Sequence, residues 1–341
     1  VSPRVPRIRH DLQVGRHAWS DQPVINKLAF LNVFHLQMPL KPMPILLTLA
    51  LLISGSLSAA AQNALPNDAL YPIKIGVNEK VVGWLAISPE AEAQWQATLM
   101  ERRLDETEKL AAEGILDADT QSELEADFQA HAEKAQENIA RMESDNKVEA
   151  GADISSRMES SLKVHEQILN SLSARGDGKI EIKPLLLKIR ATSQKAEDRR
   201  MKFEDKLISS PGNGITANGN VDIQSRAEVE SAADGKLDAA QNKIDEVRKF
   251  IDQVQNEISA QAVAEAKVQL QLADRTILDG KMKMEAKAYG EAFILFQKAH
   301  RIAQEARLLL VARKDLKIDF RAKSETDTNF DSGASGHGAL D

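Results

Sequence analysis

The amino-acid sequence predicts an all-α protein of two helical units, a helical bundle or hairpin and then an Ala-rich, coiled-coil-like three-helix hairpin, joined by a flexible linker. Three observations lead there. Aromatic residues make up 4% of the chain against an apolar fraction of 43% that comes largely from Ala and Leu, a mix suited to close helix-on-helix packing. Apolar residues recur at three-to-four spacing along most of the sequence, the period of one helix face. Gly, Asn and Ser concentrate in SSPGNGITANGN, residues 209–220, which reads as a linker.

The elements follow in order. PILLTLALLISGSLSAAA, residues 44–61, is a short apolar run ending in small residues and preceded by Lys41. Its strongly apolar part, Ile45 to Leu57, is thirteen residues, where a bilayer span needs about twenty. Residues 38–61 are therefore expected to be a secretory signal peptide, cut after Ala60 or Ala61, with an uncleaved anchor or a buried core helix as the alternatives. Residues 1–37 fit no such scheme and are expected to be a non-native upstream extension, with translation starting at Met38 or Met43. The predicted units are 62–208 and 227–318, separated by the linker at 209–226 and followed by a disordered tail at 319–341.

Within the first unit, Ile73, Val77, Val81 and Trp84 suggest a helix over 72–87, although Ile75, Val82, Ile87, Gly76 and Gly83 leave a strand possible. Ser88-Pro89-Glu90 is a helix start with a mechanism: Ser88 caps free amides, Pro89 suits the first position, and Glu90 faces the positive end of the dipole. That helix is expected to stop at Gly114. Asp117 then caps a second helix with Leu124, Phe128, His131, Ala135 and Ile139 or Met142 on one face. A third, from about Ala152, carries Ile154, Met158, Leu162, His165, Leu169 and Leu172. Pro184 opens a fourth. In the second unit, Ala233, Leu237, Ala240, Ile244, Val247, Ile251, Val254 and Ile258 form an a/d heptad seam, open to self-association. Ser259 caps the next helix, with Val263, Ala266, Leu270, Ala273 and Ile277 inward. Ala292, Phe296, Ala299, Ala303, Ala306 and Leu310 mark the last.

Composition removes several functions. There are no cysteines, so disulfides, thiol catalysis and Cys zinc sites are excluded. The net charge is −7, and because residues 1–61 hold six basic and two acidic residues, 62–341 carries −11. A chain this acidic is a poor partner for nucleic acid.

The most specific motif is Leu65-Pro66-Asn67-Asp68-Ala69-Leu70-Tyr71-Pro72-Ile73-Lys74, followed by Ser88-Pro89-Glu90-Ala91 and Glu101-Arg102-Arg103-Leu104-Asp105-Glu106. Over roughly 64–145 these residues resemble the bacterial family called domain of unknown function 5667. The family commonly has Gly where this chain has Asn67, which also suits a turn. The resemblance implies an exported helical protein and supplies no catalytic residue. Leu65, Pro66, Asp68, Leu70, Tyr71, Pro72, Lys74, Ser88, Pro89 and Glu90 are carried as structural residues, with Leu65, Leu70 and Tyr71 expected to dock on the first helices.

Candidate chemical sites are weak. His131 and His165 lie on apolar stripes and are each expected to bond one neighbour rather than share a metal. His165-Glu166 lacks a second ligand at Leu169. Asn218, Asn220 and Asp222 have calcium-loop spacing, but Ile223 and Val229 stand where such a loop needs Gly and Glu. Tyr289, Ala292, Phe296 and Ala299 match half of a tetratricopeptide repeat without sister copies. Arg102 and Arg103 among Glu101, Asp105, Glu106 and Glu108 are expected to form a solvated, ion-paired face. No catalytic, cofactor or metal residue is assigned. The expectation is an extracytoplasmic, non-enzymatic protein, periplasmic, cell-surface or secreted, acting by contact with an unidentified protein partner or as an envelope element. It meets a membrane only if the leader stays uncut. The alternative is a stress-related, chaperone-like protein that binds apolar segments or senses envelope state.

Overall fold

The computed structural model describes residues 59–175, 182–209 and 223–318. The leader up to residue 58, most of the linker, the calcium-like triplet and the tail lie outside the described residues. Among the described residues there is no strand, and the all-α reading holds.

An entry segment comes first: a short helix Tyr71–Ile73, a π-helical turn Lys74–Asn78 and a helix Glu79–Leu85. The helical alternative for 72–87 is thus the one observed. Among the described residues seven long helices follow: α1 (Pro89–Glu113), α2 (Ala118–Ser144), α3 (Val148–Arg175), α4 (Lys183–Ser209), α5 (Ile223–Val254), α6 (Ala260–Glu285) and α7 (Tyr289–Asp315).

The helix ends sit where local chemistry puts them. Ser88 accepts a hydrogen bond from the Ala91 amide and Asp117 from the Thr120 amide, while Ser259 accepts one from Ala262; each satisfies a donor that the first turn leaves unpaired. Gly114 closes α1 in the left-handed region at φ +72°, where a side chain would be strained.

The apolar stripes are buried as the spacing predicts, with two adjustments. On α2 Ala132 is buried and His131 is half-exposed. On α5 Leu237 is half-buried at the edge of the core, and the helix ends at Val254, so Ile258 of the predicted seam sits half-buried in the turn before α6. Aromatic rings fill the places where helices come closest. A side chain at Gly151 would meet the Phe203 ring at 2.3 Å, and one at Gly280 would meet Phe296 at 2.4 Å. Glycine is the residue that allows each ring to lie on a helix backbone.

Both predicted helical sets are present, and they share one core. α7 packs on α5 and α6 and also on α3 and α4, so a single apolar cluster runs from Ala93 on α1 to Leu310 on α7. A second cluster joins Val164, Ile168 and Leu172 of α3 to Ala312 and Ile318. Polar ties cross the same boundary: Arg301 on α7 faces Glu159 on α3 at 3.5 Å, Lys236 pairs with Asp153, and Arg175 donates to the Lys317 carbonyl. Helix α5 begins at Ile223, so the last residues of the predicted linker are helical. Gln297 and Ser155 are buried inside this shared core with no bonded partner for their side-chain polar atoms.

Candidate functional site

The sequence motif at 65–74 builds a clamp. Asp68 accepts from the Leu65 amide at 2.7 Å and its own amide donates to the Leu65 carbonyl, closing a tight turn. Asn67 occupies that turn at φ +75°, a conformation that Asn tolerates and Gly prefers. Pro66 is buried and Leu65 packs against Leu110, Leu116 and Leu124. The chain is thereby fixed to the far end of α1 and the start of α2. Leu70 is half-buried, Pro72 opens the short helix from an exposed position, and Glu90 pairs with Lys147 at the head of α1.

Tyr71 and Lys74 then enter a closed charge network. The Lys74 ammonium lies 2.5 Å from Glu106 and donates to the Ala64 carbonyl at 2.8 Å. Arg103, only 1% exposed, spans Glu79 at 2.5 Å and Glu106 at 3.2 Å, and it donates to the Tyr71 hydroxyl at 2.6 Å. The Tyr71 hydroxyl in turn donates to Glu106 at 3.0 Å. The buried cations Lys74 and Arg103 balance Glu79 and Glu106, and Arg102 at the rim also faces Glu79 at 3.4 Å. Burial pushes the Tyr71 phenol up and the neighbouring Glu106 charge adds to the shift; burial likewise raises the Glu106 carboxyl against the pull of Arg103 and Lys74.

This corrects the expectation of a solvated charged face on α1. Arg103, Glu106 and Glu108 are buried, and Arg102 alone of the arginine pair reaches outward, over the Trp95 ring at 5.0 Å. Glu108 is covered by His165 of α3, and Arg103 and Glu106 are covered by the entry segment, which lies over α1 and brings Tyr71, Lys74 and Glu79 onto them. No local pattern in the α1 sequence marks this, because the covering residues lie more than twenty positions away. The motif itself was the signal, since Tyr71 and Lys74 are its most constrained polar members here.

The entry segment is consequently inverted. Its charged residues Lys74 and Glu79 point inward, and Val77, Val81 and Val82 are exposed. Trp84 is 76%, Leu85 73% and Ile87 93% exposed. The three-to-four spacing that suggested a helix therefore marks a face turned to solvent, next to the Arg102–Trp95 stack.

The two histidines each bond one neighbour, as expected. His131 meets Gln96 at 2.7 Å, and burial lowers its imidazole to about 4. His165 on α3 meets Glu108 on α1 at 2.7 Å with both side chains buried. Burial works against the imidazolium, but Glu108 and then Asp105 outweigh it and raise His165 to about 9. Burial raises Glu108 to about 7 despite the same partner. Asp105, one turn away on α1, completes a group of three metal-capable side chains that the sequence reading did not assemble. Tyr289, Ala292, Phe296 and Ala299 of the repeat-like pattern are all buried in the shared core.

No helix among the described residues is long and apolar enough to cross a membrane. Comparison with curated proteins and with solved structures gives no match. Residues 63–176, from the turn before the clamp to the end of α3, match the model of the family described as domain of unknown function (DUF5667).

Proposed function

We propose that this is an exported helical protein that works by protein–protein contact or as an element of the cell envelope, without catalysis, and that it meets its partner through the entry segment. The carrying observation is the exposure of Trp84, Leu85 and Ile87 on a segment anchored from beneath by buried charges. Isolated exposed apolar residues are ordinary, but six within eleven positions, on a short helical stretch and the residues just after it, concentrate apolar surface in the way that marks an interaction site. Trp and Arg side by side, as in the Arg102–Trp95 stack beneath it, are the residue types that concentrate interface energy. The export half of the reading is supported by the apolar run and small-residue ending of 44–61.

A photo-activatable side chain at position 87, with crosslinked material recovered from the envelope fraction, tests this. One discrete partner that disappears in Trp84→Ser supports the reading. Absence of any adduct contradicts it. A second reading, binding of unfolded apolar segments, is favoured by a further exposed stripe on α6, Val268, Leu272, Leu278 and Met282; it predicts many adducts that vanish once clients are folded. Sequencing the mature N-terminus tests export, with a start near Gln62 expected.

A further inference from the structure

We propose that Asp105, Glu108 and His165 form a binding site for one divalent transition-metal cation, with zinc best suited to it. Asp105 and Glu108 are three residues apart on α1 and so share a face, and His165 reaches them from α3. One donor atom from each lies within 4.8 Å of the others. Imidazole nitrogen and carboxylate oxygen are both donors that zinc accepts, and three protein ligands leave a fourth position for water.

The surroundings supply that position. The three side chains border a cavity of about 40 Å³ walled by Ile168, Leu308 and Ala312, large enough for a single water by the usual requirement of about 10–15 Å³. Its charge is unbalanced. Asp105, Glu108 and Asp315 contribute three carboxylates against the imidazolium of His165 and the ammonium of Lys109. The His165 proton now bridges to Glu108, and a metal ion would take its place with a second positive charge. Around a tetrahedral ion, donors at about 2.1 Å stand roughly 3.4 Å apart. Reaching this needs the Glu108–His165 contact to open and Asp105 to swing inward, which an exposed side chain on the cavity rim can do. The imidazole donor favours zinc over magnesium or calcium, which take oxygen ligands. Binding must expel the imidazole proton, so it weakens as pH falls.

The test is calorimetric titration of zinc into the full chain at neutral pH in two buffers of different ionisation enthalpy, with cobalt absorption as a second readout. The expected result is one zinc per chain, proton release, visible cobalt bands and a raised melting temperature. Asp105→Asn removes a donor without touching the buried pair, and it should weaken zinc by at least about tenfold, on the scale of disturbing a metal-supporting carboxylate, with an unchanged circular dichroism spectrum. His165→Gln should abolish binding and the cobalt bands. Absence of saturable 1:1 binding overturns the proposal, as does binding that persists undiminished in folded Asp105→Asn.

Discussion

At the scale of the residue, the buried charges decide most. Arg103 satisfies two carboxylates and a phenol at once, so removing it leaves Glu106 paired with Lys74 alone and Glu79 with only the longer contact to Arg102. Arg103→Ala should cost about 3–5 kcal/mol in unfolding free energy, the range for breaking a buried ion pair from one side. Tyr71→Phe, which deletes only the hydroxyl, should cost about 1–2 kcal/mol; urea titration distinguishes the two. The histidines set the pH response. In the folded state Glu108 and His165 bind protons more tightly than their ordinary values of 4.5 and 6.5, so their contribution is fully present at low pH. It is lost as pH rises from about 4.5 to about 9. His131, and His300 on α7, act in the opposite sense. Burial lowers both to about 4, so what they contribute is present above 6.5 and lost as pH falls towards 4. The windows overlap between about 4.5 and 6.5, where two imidazoles gain with rising pH against one carboxyl that loses. The urea midpoint should therefore pass through a maximum near pH 6.5. His165→Gln should flatten the alkaline limb and His131→Gln the acid limb. These pairings could not be read beforehand, because the partner of each imidazole lies 35 or 57 residues away.

At the scale of the element, helix ends were the most legible feature and helix faces the least uniform. Ser88, Asp117, Ser259 and Gly114 act on amides and carbonyls within a few residues of themselves, so the sequence contains the whole interaction. Ser88→Ala should cost about 1 kcal/mol, as for other N-caps. The entry segment shows the opposite case. Its apolar period reveals a helix but not which way the helix faces, since that depends on charges waiting on α1. Deleting residues 62–71 removes Ala64, Leu65 and Tyr71 from their contacts and should lower the melting temperature by several degrees; no change would mean that the turn does not fasten the segment. Close packing makes a further demand. Gly280→Ala places a methyl inside the Phe296 ring's space and should destabilise by about 1–3 kcal/mol, the usual cost of overpacking, measured by thermal melting.

At the scale of the whole molecule, the two helical sets were legible as separate runs of stripes, but their union was not. The Gly- and Asn-rich stretch at 209–220 suggests independence. Helix α7, however, buries residues on faces towards α5 and α6 and towards α3 and α4, and its Ala-rich surface carries too little asymmetry to announce a second partner. One transition is therefore expected in calorimetry of the full chain, and residues 227–318 alone should expose apolar surface and bind a hydrophobic dye. The family match ends at residue 176, so the α3 surface on which α7 rests belongs to the family part while α7 does not.

The central claim is that the clamp motif holds an apolar face outward for a partner. The most direct measurement pairs stability with crosslinking in the double variant Trp84→Ser, Ile87→Ser. If the face is free in the monomer, the unfolding free energy should stay within about 0.5 kcal/mol of the original, as for other exposed positions, while the adduct from position 85 is lost. A large fall in stability with the adduct retained would contradict it, since those side chains would then be holding the fold together rather than meeting a partner.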